Sequence, residues 1–166
     1  MNDATRALVT PIILSQDRDL VGEFLNRYRD SSFRIAMRIL GNQDAAEDVA
    51  QEAIIRAFRS WDTLSGVENQ GAWVRKVVVR CALNAVERTP NHTELSDVGN
   101  EPDESVLVQA VLESLAPEHR AVLGLAVGEG LSYREIADAL EIPIGTVGSR
   151  LNSAKAAFKR AWEGSR

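Results

Sequence analysis

The chain has 166 residues, of which 45% are hydrophobic and 26% charged, with a formal net charge of −5. That length suits one ordinary domain or two small ones, and no run of about 18 apolar residues is present to insert into a membrane. A single cysteine, Cys81, excludes an internal disulfide and fits the reducing cytoplasm. With only His92 and His119 beside that thiol, a structural zinc site is not expected.

The negative charge is unevenly placed. Residues 1–17 read as an N-terminal extension that lacks the basic start and cleavage site of a secretory peptide. Residues 18–88 carry eleven Lys and Arg against ten Asp and Glu, and residues 105–166 balance at seven and seven. Residues 89–104 hold five acids and no base. A DNA phosphate responds to local charge, because screening acts over roughly 10 Å, so the overall sign does not exclude nucleic acid.

Apolar residues recur every three or four positions throughout, which predicts an all-α protein. The first helix runs from about Asp19, with Leu20, Phe24, Leu25 and Tyr28 on one face, continues or restarts through Phe33 to Leu40, and stops at Gly41. A second starts at Asp44, with Asp44 and Glu47 as a capping arrangement, and turns Ala46, Val49, Ala50, Ala53, Ala57, Phe58 and Trp61 inward. A loop over 63–71 precedes a third helix from Ala72 to about Arg88, which buries Val74, Val77, Val78, Cys81, Ala85 and Val86. The proline-containing acidic stretch 89–104 reads as a flexible linker. Helices resume with Val108, Val111, Leu112 and Leu115 inside, and another starts at Pro117. The organisation expected is two small helical domains, 18–88 and 105–166, joined by the linker.

Three segments carry the chemistry. In 131–162, Ser132 and Glu135 form a capping box, Ile136, Ala137 and Leu140 face inward, and Glu141-Ile142-Pro143 ends the helix. A second helix then buries Val147, Leu151, Ala154, Phe158 and Trp162 and turns Ser149, Arg150, Ser153, Lys155, Lys159 and Arg160 outward. This is a helix-turn-helix layout, able to place its second helix in a DNA major groove. The plain alternative is a helical hairpin with a solvated basic face. In 44–61, Asp48, Gln51, Glu52, Ile55 and Arg59, with Arg56 beside them, form a polar stripe around one bulky apolar residue, which suits a protein interface or a solvated face. In 71–89, Lys76, Arg80, Asn84 and Arg88 recur every fourth residue, with Trp73 one turn earlier. Such a stripe can track a single nucleic-acid strand, or it is solvated while Trp73 packs in the core. No phosphate loop, nucleophile elbow or metal-ligand spacing marks an enzyme.

Together, DAAEDVAQEAIIRAF (44–58), AWVRKVVVRCALNAVER (72–88) and LAPEHRAVLGLAVGEGLSYREIADALEIPIGTVGSRLNSAKAAF (115–158) resemble the extracytoplasmic-function branch of the sigma-70 family, in the family's order and spacing. The resemblance implies that Asp48, Gln51, Glu52, Ile55 and Arg56 bind the clamp helices of the largest subunit of core RNA polymerase. It implies that Asn69, Trp73, Arg75, Lys76, Arg80, Asn84 and Arg88 melt and hold the −10 element, and that Thr146, Ser149, Arg150, Ser153 and Lys155 read the −35 element. It further implies a cytoplasmic, non-enzymatic initiation factor without cofactor or metal, whose partners are core polymerase, promoter DNA and an anti-sigma protein. The linker would thread toward the polymerase active site and RNA exit. The chain departs from the family's common pattern at Gly148, Asn152 and Ser153, where bases are usual, and at Glu141, where a turn glycine is frequent. The rival readings are a sigma-like decoy for an anti-sigma protein and a stand-alone helix-turn-helix regulator.

Overall fold

The computed structural model describes the backbone of residues 16–64, 66–88 and 104–165. The N-terminal 1–15 and residues 89–103 of the expected 89–104 linker lie outside the described residues, as do the side chains of Trp61 and Arg88, while Glu104 opens a helix. Everything regular in the described residues is helical.

Helix α1 is one element, Gln16–Leu40. Phe24, Ile35, Ala36 and Ile39 are buried along it, while Leu20 and Leu25, expected on the core face, are exposed. Among the described residues, Phe24 is the one nearest the N-terminus that the core covers. Gly41 ends the helix at φ 72 and donates its N–H to the Met37 carbonyl at 2.8 Å. That left-handed conformation is open to glycine at no steric cost.

Helix α2, Gln43–Arg59, is capped by Asn42, whose extended backbone lets its side chain accept from the Ala45 N–H at 2.9 Å. The expected Asp44–Glu47 box is therefore not formed. The helix starts one residue earlier, Glu47 accepts from the Gln43 amide at 3.0 Å, and Asp44 sits in the first turn, where a negative charge suits the helix dipole. Its inner face is Ala46, Val49, Ala50, Ala53, Ile54 and Ala57, a row of mostly small side chains that admits a close neighbour.

The stretch expected as a loop over 63–71 is shorter than that. A single helical turn, α3, covers Trp61–Leu64, and α4 begins at Gln70 and runs to Arg88. The early start has a local cause: the Asn69 side chain accepts from the Ala72 N–H at 2.9 Å. Val74, Val78, Cys81 and Ala82 of α4 are buried, as is Val79, and Ala85 and Val86 are half-buried.

The C-terminal part starts with α5, Glu104–Ser114, and α6, Pro117–Leu123, whose proline occupies the first turn, where no N–H is required. One turn of π-helix, Gly124–Gly128, extends α6. A Cβ at Gly124 would lie 2.9 Å from the Arg38 Cβ, so glycine there lets α6 approach α1. Helix α7, Tyr133–Leu140, and helix α8, Ile144–Gly164, form the helix-turn-helix. Ile136, Ala139, Val147, Leu151 and Ala154 are buried. Ala137, Leu140 and Phe158, expected inside, are partly buried, as is Trp162, which stacks on Phe158 with ring centroids 6.2 Å apart.

The two helical groups do not keep separate cores. One continuous apolar cluster runs from Phe24 and Ile39 through Val78 and Val79 to Leu125, Ile136 and Leu151. Small helical domains have little interior of their own, and here each uses the other's surface.

Candidate polymerase and DNA interfaces

The outer face of α2 is set by what its inner face buries. With the alanine row packed against α1 and α4, Asp48, Gln51, Glu52, Ile55 and Arg56 all point to solvent. Ile55 is 43% exposed at the centre of the stripe. Glu52 and Arg56 pair one turn apart, so Arg56 is held beside the carboxylates rather than splayed from them. The stripe is a polar rim around an apolar centre on a rigid helix.

The residues expected to bind the −10 strand divide into three groups. Asn69 is committed to capping α4, and Trp73 is half-buried against the core. Asn84 is exposed. Arg75, Lys76 and Arg80 face α7: Arg75 lies 3.5 Å from Glu135, Lys76 lies 3.3 Å from Glu141 and 4.0 Å from Asp138, and Arg80 also pairs with Glu141. Val79, which local periodicity missed, is buried on α4 as well.

The helix-turn-helix is well terminated at both ends of α7. The Ser132 hydroxyl accepts from the Glu135 N–H at 3.3 Å, while the Glu135 carboxylate accepts from the Ser132 N–H at 2.9 Å and from its hydroxyl at 2.8 Å. These bonds to Ser132, with Arg75 adding to them, hold the Glu135 carboxyl below the ordinary 4.5. At the other end Glu141 adopts φ 54 and ψ 43, and the Ile142 N–H returns to the Ala137 carbonyl at 3.0 Å. Ser132→Ala is expected to cost about 1 kcal/mol of stability. Because the folded-state carboxyl is held below its unfolded value, the box contributes fully above pH 4.5 and weakens as pH falls through the lowered value. Urea midpoints from about pH 6 to about pH 3 should therefore fall less steeply on the acid side in Ser132→Ala than in the parent; parallel curves would refute the assignment.

On α8, successive residues turn by about 100°. Thr146, Ser149, Arg150 and Ser153 share an arc outside the buried row of Val147, Leu151 and Ala154. The Ser149 hydroxyl donates to the Thr146 carbonyl at 3.0 Å, and Arg150 is half-buried. Lys155, expected with them, falls on the opposite flank. It lines an apolar groove of about 480 Å³ with Met37, Leu112, Leu123, Val127 and Phe158. At the base of this groove Arg120 is 1% exposed. Burial pushes its pKa down, with Glu113 opposing the shift, and its Nε and Nη2 have no hydrogen-bond partner.

Among the described residues no cluster of His, Cys, Asp and Glu could hold a metal ion, and no helix is long and apolar enough to cross a membrane. Cys81 is buried, as its place on the apolar side of α4 predicts.

A capped helix-turn-helix beside a second group of helices, one of which carries an exposed polar stripe, places the chain in the class of all-α helix-turn-helix proteins. The family model for sigma-70 region 2 matches residues 24–90, and that for sigma-70 region 4 matches residues 105–158. The extracytoplasmic-function (ECF) RNA polymerase sigma factor SigE of Mycolicibacterium smegmatis is 32% identical over 80% of this chain, a match spanning 58% of that relative's length. SigW of Bacillus subtilis, another ECF sigma factor, is 26% identical over 87% of this chain and 89% of its own. Among solved structures, the sigma factor RpoE of Bartonella quintana, in complex with the anti-sigma factor NepR, aligns with TM-score 0.70 at 18% identity, covering 90% of this chain and 99% of that one. CnrH in complex with the cytosolic domain of CnrY aligns with TM-score 0.64, also at 18% identity, covering 92% and 93%. The chain belongs to the sigma-70 family, in its extracytoplasmic-function branch.

Proposed function

We propose that this sigma factor directs promoter-specific initiation through three separate surfaces, and that it does no catalysis itself. The stripe of α2, Asp48 to Arg56, docks on the clamp helices of core polymerase. Trp73, Arg75, Lys76, Arg80, Asn84 and Arg88 hold the −10 strand, with Asn69 positioning the start of their helix. Thr146, Ser149, Arg150 and Ser153 read the −35 duplex, and Lys155 stands apart from that face. The working units are 18–88 and 105–166, with 89–104 as the tether toward the polymerase active site and RNA exit, in the cytoplasm. An anti-sigma protein is the expected inhibitor, in keeping with the structural neighbour solved in complex with the anti-sigma factor NepR; the apolar groove lined by Met37, Leu112 and Phe158 offers such a partner an apolar surface beside Lys155.

The observation that carries this reading is the separation of faces: the α2 stripe and the α8 arc are exposed on different helices with different chemistry. Run-off transcription with purified core polymerase tests it directly. A promoter-specific transcript is expected, and its absence would favour the decoy. Arg150→Ala should weaken −35 duplex binding about 5- to 150-fold, the range for losing one bidentate base contact, while core binding is unchanged. Equal losses in both assays would sink the division of labour.

A further inference from the structure

The groove of about 480 Å³ where α1 meets α5, α6 and α8 has the size of a small-molecule site. Its walls are Met37 of α1, Val108 and Leu112 of α5, Leu123 of α6, Val127 of the π-turn and Phe158 of α8. Gly128 lines it too, and a Cβ there would collide with the Arg38 guanidinium. Glycine therefore lets Arg38 cross the edge of the groove and reach Glu129 at 3.1 Å.

Three cations line this apolar surface, and their circumstances differ. Arg38 is neutralised by Glu129. Lys155, on the α8 side, and Arg120, at the base, are in no ion pair among the described residues. Arg120 is 1% exposed, and its Nε and Nη2 have no hydrogen-bond partner. Its Nη1 reaches only the Glu113 carbonyl, at 3.5 Å, while the Glu113 carboxylate accepts from the Gln109 amide at 2.8 Å. A guanidinium keeps its charge when buried, and leaving that charge unmet is costly. A methionine would fill the same length without the cost, so packing alone gives no reason for an arginine here.

We propose that the groove is a binding site for an alkyl carboxylate of the fatty-acid type, its chain along Met37, Leu112 and Phe158 and its carboxylate drawn to Arg120 and Lys155. One molecule then accounts for both halves of the site. The chain covers the apolar walls, and the carboxylate supplies the acceptors that the guanidinium lacks, in a geometry that suits its fork of donors. A partner's helix is a poorer fit. About 10 Å across and three turns long, it displaces roughly 1000 Å³ or more, so a protein lays only single side chains into this space, and Asp or Glu has too short a stem to follow the walls. Because the lining comes from α1, α5, α6 and α8, a bound ligand stabilises the folded chain in proportion to its occupancy.

Isothermal titration calorimetry on the full chain separates head from tail, with octanoate, octanol and octyltrimethylammonium as probes. Octanoate should bind saturably and raise the unfolding temperature. It should bind about 10- to 150-fold more tightly than octanol, the factor for a hydrogen bond to a charged group, and the octyl cation should bind more weakly than octanol. Arg120→Met should erase the preference for octanoate over octanol while octanol affinity is kept. By removing an unmet buried charge, it should also leave the unfolding temperature of the free protein no lower than the parent's. Val127→Trp, at a position 75% exposed on the groove, should obstruct the site and weaken both ligands without touching the core.

Equal affinity for all three probes would mean unspecific partition into an apolar surface and would overturn the proposal. So would the absence of saturable octanoate binding up to about 1 mM. Should Arg120→Met fail to fold, Lys155→Gln and Val127→Trp decide: octanoate affinity unchanged in both would place the ligand elsewhere and reject the site.

Discussion

Asp48→Ala combined with Glu52→Ala is expected to lower affinity for core RNA polymerase about 100-fold, with no change in the thermal unfolding of the free protein. Both side chains are exposed on a helix whose packing comes from the alanine row on its other face. In the folded monomer Glu52 makes one pair, with Arg56, and an exposed pair one turn apart contributes little. In a complex the same carboxylates would be desolvated against partner cations. Truncating one side of such a pair costs about 2–5 kcal/mol because the partner charge is left buried and unmet. Surface plasmon resonance against immobilised core enzyme, alongside circular dichroism melts, separates the two effects. Retained affinity would move the docking surface elsewhere, and a lowered melting temperature would reject the premise that these residues are free of structural duty.

Ile136→Ala is the substitution expected to cost most in stability, about 2–5 kcal/mol. Ile136 is 0% exposed and sits in a short helix that packs on both α4 and α8. The small cavity left there cannot be closed by one element moving, because α7 is held from two sides. A loss of that size is a large share of the total stability of a domain this small. Urea denaturation should show it, and duplex binding through α8 should fall with the folded fraction, while the α2 surface keeps its affinity for core enzyme to within about threefold. A destabilisation below about 1 kcal/mol would mean that the site collapses readily and that α7 is not held from two sides.

Features that depend on neighbours along the chain were legible without coordinates. The Ser132–Glu135 box, the Gly41 stop, the Pro117 start and the break at Glu141-Ile142-Pro143 each involve groups within about one helical turn, and each formed as read. The capping of α2 was misplaced because Asn42 and Asp44 both offer good acceptors. Extended backbone at Asn42, set as the chain leaves Gly41, decided between them.

Candidate site residues were legible as stripes, since helical spacing alone places Asp48, Glu52 and Ile55, or Lys76 and Arg80, on one side of a helix. What lies opposite a stripe has no trace in that spacing. The approach of Gly124 to Arg38 and the carboxylates meeting Arg75, Lys76 and Arg80 join residues far apart in the chain, and the burial of Val79 likewise depends on how the helices pack. Periodicity records which residues share a face; it carries no information about the partner across it.

The sequence by itself determined the helical class, the order of the elements, the helix-turn-helix and its caps, because those follow from interactions across three or four residues. The tertiary structure alone decided that the two helical groups share one core and that the basic stripe of α4 is met by the acids of α7. Burial and ion pairing between distant segments depend on how the helices pack in space, which no local pattern specifies.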